Sequence, residues 1–249
     1  MRDIRCLILL LGMTFLAGCA GTTVHDAADT KKAAQLNAEL GLNYMSQGKN
    51  ELAMEKLLKA VDYDAGSVDA NHYIAELYKR LERPDKAQEY YKRAISLAPR
   101  ETAIQNNYGV FLCGEKRYDE GVKYLLQALD NPVWPGREGA FENVGQCLLD
   151  KGDTVKAEHY YREALRVNPN LPRSLLAMAE VSLQQQNLIS ARAFLQRYAA
   201  VATHTPQSLW LGIQVERVLG DRNALSSYEM LLRNSFPDTE EAKLYLQSK

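Results

Sequence analysis

The sequence has little of several features that mark particular classes of protein. Lysine and arginine total 30 and aspartate and glutamate total 31, which leaves a formal net charge of −1. This balance argues against a nucleic-acid-binding protein, which would carry a basic excess. Long apolar runs are also missing, because the stretch from Cys6 to Leu16 is much shorter than the roughly 20 residues that a membrane-spanning helix needs. A permanent transmembrane anchor is therefore not expected.

Patterns typical of catalysis and metal binding are absent too. The sequence has no nucleophile and base at a recognisable spacing and no glycine-rich phosphate loop. Its histidines are dispersed, with no paired ligand at helical spacing, so a zinc site is not expected. They are His25, His72, His159 and His204. We therefore predict a protein that is not an enzyme and that uses no metal or other cofactor.

The N-terminus has the layout of a secretory signal peptide. Arg2 and Arg5 precede the apolar stretch, which ends in Leu16-Ala17-Gly18-Cys19. This ending resembles the bacterial lipobox, and the resemblance implies that residues 1–18 are removed and that Cys19 becomes the lipidated N-terminus. Ala20 stands where an aspartate would resemble the inner-membrane retention signal, which favours the outer membrane. The alternative is an ordinary secretory signal followed by a chance cysteine.

The segment after the lipobox is predicted to be a flexible tether, at residues 19–32. From Ala20 to about Thr30 it is too polar to bury a face and has no apolar period. Two cysteines remain beyond Cys6 and Cys19. These, Cys113 and Cys147, either form a disulfide in an oxidising periplasm or lie buried as thiols, and the sequence alone leaves both readings open.

A repeat of about 34 residues organises the rest of the chain. Each unit has a small residue, a large apolar residue four positions later and a third packing residue seven positions later. The sets are Ala53-Leu57-Ala60, Ala87-Tyr91-Ala94, Gly121-Leu125-Ala128, Ala157-Tyr161-Ala164, Ala191-Leu195-Tyr198 and Ala224-Tyr228-Leu231, and their starts differ by 34, 34, 36, 34 and 33 residues. A partner pattern, such as Leu40-Gly41 with Tyr44, stands twelve or thirteen residues upstream on one face of a preceding helix.

This period and these small residues resemble the tetratricopeptide repeat family. The resemblance covers about Asn37 to Lys249 and implies an all-α, right-handed superhelix of six helix-turn-helix repeats over residues 33–249. Two units are unusual: Gly121 replaces the usual alanine of unit three, and Tyr198 and Ser182 stand in unusual places in unit five, so the register of unit five is the least secure. Two extra residues before unit four, around Val133-Trp134-Pro135-Gly136, are expected to form a longer loop.

In this family the first helix of each unit lines the inner wall of the superhelix, where partners bind. The register places on that wall Ala38, Leu42 and Met45 of unit one and His72, Glu76, Lys79 and Arg80 of unit two. We predict that Ala38, Leu42 and Met45 form an apolar stripe for an amphipathic helix or extended peptide of a partner. The alternative is that the tether or a neighbouring helix covers this stripe. In some members of this family, lysines and asparagines on the wall grip a C-terminal carboxylate. Such a grip is not expected here, because the matching places mostly lack that charge: they hold Ala38, Leu42, His72, Glu76, Asn106 and Val110.

Three stretches resemble the lipoproteins of type IV pilus biogenesis known as pilotins: Leu40-Gly41-Leu42-Asn43-Tyr44, Asn107 to Cys113 and Glu142 to Leu148. The resemblance implies a protein that binds secretin subunits, carries them to the outer membrane and promotes their assembly into a pore. Neither nucleic acid nor a small-molecule substrate is expected as a ligand. The alternative is a scaffold lipoprotein of another envelope machine, such as outer-membrane protein assembly or cell-wall synthase regulation.

Overall fold

The computed structural model describes residues 27–248, in which every regular element is an α-helix. Cys19 and the predicted signal peptide lie outside these residues. The helices are α1 (Ala27–Ser46), α2 (Asn50–Tyr63), α3 (Val68–Arg80), α4 (Pro84–Leu97), α5 (Thr102–Gly114), α6 (Tyr118–Leu129), α7 (Arg137–Lys151), α8 (Thr154–Val167), α9 (Pro172–Gln184), α10 (Leu188–Val201), α11 (Pro206–Leu219), α12 (Arg222–Ser235) and α13 (Glu240–Gln247).

The first twelve helices form six consecutive pairs, each packed most extensively on its own partner and then on the next pair. This confirms the predicted stack of tetratricopeptide repeats. Small residues allow the close approach within a pair. At Gly41, for example, an added Cβ would lie 2.5 Å from Leu57 Cγ and 3.3 Å from the carbonyl oxygen of Ala53. The small residues of the repeat are therefore required for the close packing of the two helices in a unit.

The first helices of neighbouring units also contact each other, α1 with α3, α3 with α5, α5 with α7 and α9 with α11. They form the inner layer of the stack, and the second helices form the outer layer. Since each unit contacts only its neighbours, the core is continuous along the chain rather than central. A partner on the inner wall would meet side chains from several units.

Each turn between the two helices of a unit contains one residue in the left-handed region. In units one, four and six it is glycine, with φ of 73°, 89° and 78° at Gly48, Gly152 and Gly220. In the other units it is Glu82, Lys116 and Gln186, with φ of 55°, 61° and 59°. A residue with a side chain costs about 1–2 kcal/mol in this region, so the turns of units two, three and five are strained.

Both ends of the stack differ from the sequence prediction. Helix α1 begins at Ala27, within the segment predicted to be a flexible tether, because alanine and lysine there favour helix. At the other end α13 caps unit six and buries Ala242 and Tyr245 against Leu232. The unit-six residue predicted to pack, Leu231, is instead 43% exposed.

The two irregular units follow the prediction. Residues 130–136 form the longer loop between α6 and α7. In unit five Ala191, Leu195 and Tyr198 are all buried, and the Tyr198 hydroxyl donates to the carbonyl oxygen of Thr203 at 3.1 Å. The register predicted for unit five is therefore confirmed.

Candidate functional site

The predicted apolar stripe on α1 is mostly core. Ala38 is 1% exposed and packs with Ala60 and Ala70, while Met45 is 5% exposed within a cluster contributed by α2 and α3. Intervals of four and three residues place Ala38 and Met45 on the helical face that these two helices cover. The expectation of a three-residue exposed stripe is therefore wrong, and Leu42, at 42% exposed, is the member that remains on the surface.

A different part of α1 is apolar and open to solvent. Leu36 is 51% and Leu40 is 45% exposed. In the other five units the residue equivalent to Leu40 is buried; these residues are Ile74, Tyr108, Val144, Met178 and Leu211. They are covered because a preceding unit packs against the first helix, and no unit precedes α1 within the described residues. Helix α1 thus exposes a surface of the kind that elsewhere in this protein packs on another helix.

The charged residues predicted for the wall of unit two are engaged within the fold. Glu76 accepts hydrogen bonds from the buried Tyr91 hydroxyl and from Lys79 Nζ, the latter at 3.0 Å. Arg80 donates to the main-chain oxygen of Met45 at 2.5 Å, which ties α3 to the C-terminal end of α1. Burial, followed by the nearby charge of Glu76, raises the pKa of Tyr91. These side chains form contacts within the stack, so they are not free to bind a partner.

A chain of hydrogen bonds crosses four first helices on the inner wall. Arg173 of α9 donates to Asn143 of α7 at 2.8 Å, and Asn143 donates to Asn106 of α5 at 3.0 Å. Asn106 donates to Asn107 at 3.0 Å, and Asn107 Nδ2 lies 3.0 Å from His72 Nε2 of α3. We call these five residues the polar chain.

The direction of the polar chain follows from its first member. Arginine can only donate, so the Asn143 side-chain oxygen faces Arg173 and its NH₂ group faces Asn106, and the same order repeats to the last residue. His72 must therefore accept with an unprotonated Nε2. Burial lowers the pKa of His72, against a weaker opposing effect of Glu76, which agrees with a neutral ring.

A buried carboxylate joins units four and five beside the polar chain. Glu142 Oε1 accepts from the backbone N–H of Ser174 at 2.9 Å and from its hydroxyl at 2.7 Å, and Arg173 Nε lies 3.7 Å from Glu142 Oε2. A buried charge is tolerated when hydrogen bonds of this kind compensate its lost hydration. The inner wall of units two to five is thus held together by polar contacts that the sequence prediction did not include. The sequence did carry a signal for these contacts. His72 and Asn107 are 35 residues apart and Asn106 and Asn143 are 37 apart, which is close to the repeat length of about 34 residues and places each pair on neighbouring first helices.

Cys113 and Cys147 form a disulfide that links α5 to α7, the first helices of units three and four. Of the two alternatives left open by the sequence, the structure contains the bridge. It also accounts for Gly121. A Cβ at that position would collide with Cys113 Sγ and lie 2.8 Å from the Gly109 carbonyl oxygen, so alanine does not fit.

Within residues 27–248 no cluster of three His, Cys, Asp or Glu side chains could hold a metal ion. Among the helices described, none has the length and hydropathy needed to cross a membrane. Contacts between helices, and not a catalytic centre, account for the buried polar groups discussed above.

Comparison with known proteins places the chain among tetratricopeptide repeat proteins. The tetratricopeptide repeat family models match residues 68–101 and 148–209. The type IV pilus assembly protein PilF of Pseudomonas aeruginosa is 30% identical over 250 residues, which cover 99% of each chain.

Two solved structures share this fold over most of their length. One, from a functional characterisation of Pseudomonas aeruginosa PilF, superposes with a TM-score of 0.82 at 31% identity and covers 88% of this chain and 99% of that one. The crystal structure of PilW, a widely conserved type IV pilus biogenesis factor, superposes with a TM-score of 0.79 at 30% identity and covers 86% of this chain and 98% of that one. The similarity extends over all six repeats.

Proposed function

Since the chain belongs to the PilF and PilW family of type IV pilus biogenesis proteins, we propose that it acts as a pilotin, an outer-membrane lipoprotein that binds secretin subunits and promotes their localisation and assembly. The observation that carries this proposal is the 30% identity to PilF along 99% of both chains. Like other tetratricopeptide scaffolds of this family, it is a non-enzymatic protein-interaction protein.

The proposed anchor is Cys19, because the sequence that ends there resembles a lipobox. Each CH₂ group of an acyl chain contributes about 0.8 kcal/mol when buried in a membrane, so one chain holds marginally and several hold permanently. A binding module fixed to the membrane confines secretin subunits to one surface, where they meet at a higher effective concentration than in solution. Localisation and assembly would then follow from a single attachment.

The anchor is tested by Cys19→Ala. This variant should fold and bind secretin subunits as the wild type does, while the secretin no longer accumulates as multimers in the outer membrane. Membrane fractionation measures the location of the secretin, and gel analysis of unheated samples measures the amount of multimer. Normal amounts of correctly located multimer in the variant would contradict the mechanism.

The proposed docking surface is the open part of α1, with Leu36 and Leu40 at its centre and Leu42 at its edge. Within residues 27–248, helix α1 has no neighbour like the one that covers the equivalent residue in every later unit, so a helix is the partner element that fits this surface. We therefore expect an amphipathic helix of the secretin subunit to lie there, in the place of a preceding repeat. Full burial of an exposed leucine contributes about 1.5–3 kcal/mol, and since Leu36 and Leu40 are already about half buried, a partner that covers them would gain about 1–1.5 kcal/mol from each.

Leu36→Glu combined with Leu40→Glu tests this surface. The pair should weaken capture of a purified secretin subunit by roughly 30-fold or more, since about 2–3 kcal/mol of apolar burial is lost. Far-UV circular dichroism should be unchanged, because both side chains are exposed. A control pair replaces two apolar residues of the outer layer that are more exposed than Leu36 and Leu40, Val155 at 77% and Ile189 at 68%, by glutamate.

Equal loss of capture in the control pair, or full capture by the α1 pair, would remove this surface from consideration. Met45→Glu is unsuitable as a test, because Met45 is buried and its replacement would unfold unit one. Affinity purification from envelope extracts provides the check on the alternative function. Recovery of a complex from outer-membrane protein assembly or cell-wall synthesis, without secretin, would favour a scaffold of that machine.

A further inference from the structure

The protein has a second open surface, which lies on the inner wall of units four to six. A cleft of about 510 Å³ lies between α7 and α9 and reaches the start of α11. It adjoins a cleft of about 310 Å³ between α9 and α11. Glu180, Gln184 and Gln207 line both, so the two form one continuous groove, which we call the distal groove. Its volume falls in the range of about 300–1,000 Å³ that is typical of ligand clefts.

The lining of the distal groove fits an extended polypeptide. Its apolar walls include the half-buried side chains of Leu176, Leu183 and Trp210. Beside them lie the amides of Gln184, Gln207 and Gln214, whose side chains make no hydrogen bond within residues 27–248. Because an amide both donates and accepts, such a row can satisfy the N–H and C=O groups of a peptide backbone. The apolar walls can accommodate its side chains.

Charge selects the side chain that the groove would receive. Glu180 is half-buried and has neither a hydrogen bond nor an ion pair in the part of the chain that the structure describes. Asp150, at the other side of the groove, accepts from the Gln146 amide and has no cationic partner among the described residues. Arg173 also lines the groove, but Asn143 and Glu142 hold it in the polar chain. The groove therefore has an excess of negative charge.

A carboxylate without a partner in a partly dehydrated cleft is costly, and burial accordingly raises the pKa of Glu180. A cation supplied by a ligand would remove this cost. Arginine fits better than lysine, because its planar guanidinium can pair with a carboxylate through two hydrogen bonds while it stacks on an indole ring. Trp210 lines the same part of the groove as Glu180.

We propose that the distal groove binds an extended segment of a partner protein, and that an arginine of this segment pairs with Glu180 and packs on Trp210. The groove lies in units four to six and the proposed secretin surface lies on α1, so this interaction is separable from the proposed function.

The probe is an array of acetylated and amidated nine-residue peptides with arginine at the centre and randomised flanks. A second array has citrulline at the centre, which keeps the shape of arginine and removes its charge. The whole chain should bind the arginine array at least about 10-fold more tightly than the citrulline array, as expected for a charge-assisted hydrogen bond to Glu180. Glu180→Gln should abolish this preference. The matched control, Glu115→Gln, removes an exposed charge in the α5–α6 turn and should retain it.

The strongest arginine peptide then enters a double-mutant cycle. The chain has two tryptophans, so Trp134→Phe leaves Trp210 as the sole tryptophan, whose emission can be excited selectively. In that background Glu180→Gln should weaken the arginine peptide about 10-fold and change the citrulline peptide less than about twofold. Binding should shift the Trp210 emission.

Several results would overturn the proposal: no preference of the wild-type chain for arginine over citrulline, equal weakening of both peptides by Glu180→Gln, the same loss with Glu115→Gln, or binding that leaves Trp210 emission unchanged. The last result would place the peptide elsewhere on the superhelix.

Discussion

Removal of the disulfide between Cys113 and Cys147 should destabilise the protein by several kcal/mol. The bridge closes a segment with a sequence separation of 34 residues and connects units three and four at the middle of the stack. It restricts the unfolded chain far more than the folded one, where α5 and α7 are already neighbours. The perturbation is the double variant Cys113→Ala with Cys147→Ala.

The size of the effect follows from the length of the closed loop. For about 34 residues the chain-entropy relation predicts a loss of roughly 13 cal/mol/K, or about 4 kcal/mol at 25 °C. A typical domain has a free energy of unfolding of only about 5–15 kcal/mol, so the midpoint of urea denaturation should fall markedly. Because neighbouring repeats stabilise one another, the destabilisation should extend beyond units three and four.

The assay is urea denaturation followed by circular dichroism for three samples: oxidised wild type, wild type reduced with dithiothreitol, and the double variant. Reduced wild type and the double variant should unfold at similar urea concentrations, well below that of oxidised wild type. This comparison separates the cross-link from the packing of the cysteine side chains. The reasoning would be refuted if oxidised and reduced wild type unfolded at the same midpoint.

Three further predictions concern single residues. Gly121→Ala should cost about 1–3 kcal/mol by overpacking against Cys113, and urea midpoints should show a smaller cost once Cys113 is replaced by alanine; equal costs in both backgrounds would contradict the steric explanation. Lowering the pH from 7.5 to 5 should lower the melting temperature, because burial lowers the pKa of His72 in the folded state, so that the unfolded chain binds the proton more readily once the pH falls below about 6.5. His72→Gln should reduce this dependence, and an unchanged slope would count against it. Gln186→Gly should raise the free energy of unfolding by about 0.5–1 kcal/mol by relieving the left-handed backbone at φ 59°, whereas Gln185→Gly, at an ordinary φ of −80°, should bring no gain.

The repeat was predictable because its cause is local and recurs. A small residue that lets two helices approach, and a large one a turn later, appear in the sequence at the period of the fold itself. Even unit five, with Tyr198 in an unusual place, follows the register. The same regularity misled the prediction at the ends, where Leu40 and Leu231 carry the pattern of buried residues but no part of the chain that the structure describes covers them.

The predicted docking stripe failed for a related reason. Spacing shows that Ala38, Leu42 and Met45 lie near one another on α1, but an apolar face reads the same whether a helix of the same chain or a partner covers it. Which face α2 and α3 cover depends on how the units are rotated against each other. That rotation is a property of packing between units and does not appear in the periodicity of one helix.

By itself the sequence determined the class of the protein: an all-α array of six helix pairs, with no pattern typical of an enzyme, because each helix pair repeats the same local packing rule. The tertiary structure alone decided which side chains are free. Contacts between units three and four bring Cys113 to Cys147, and contacts across four units align the polar chain from Arg173 to His72. The packing of units four to six leaves Glu180 in an open groove with no partner among the described residues. These outcomes depend on residues brought together from different repeats, and the angle between repeats that sets their distances is fixed only when the stack has formed.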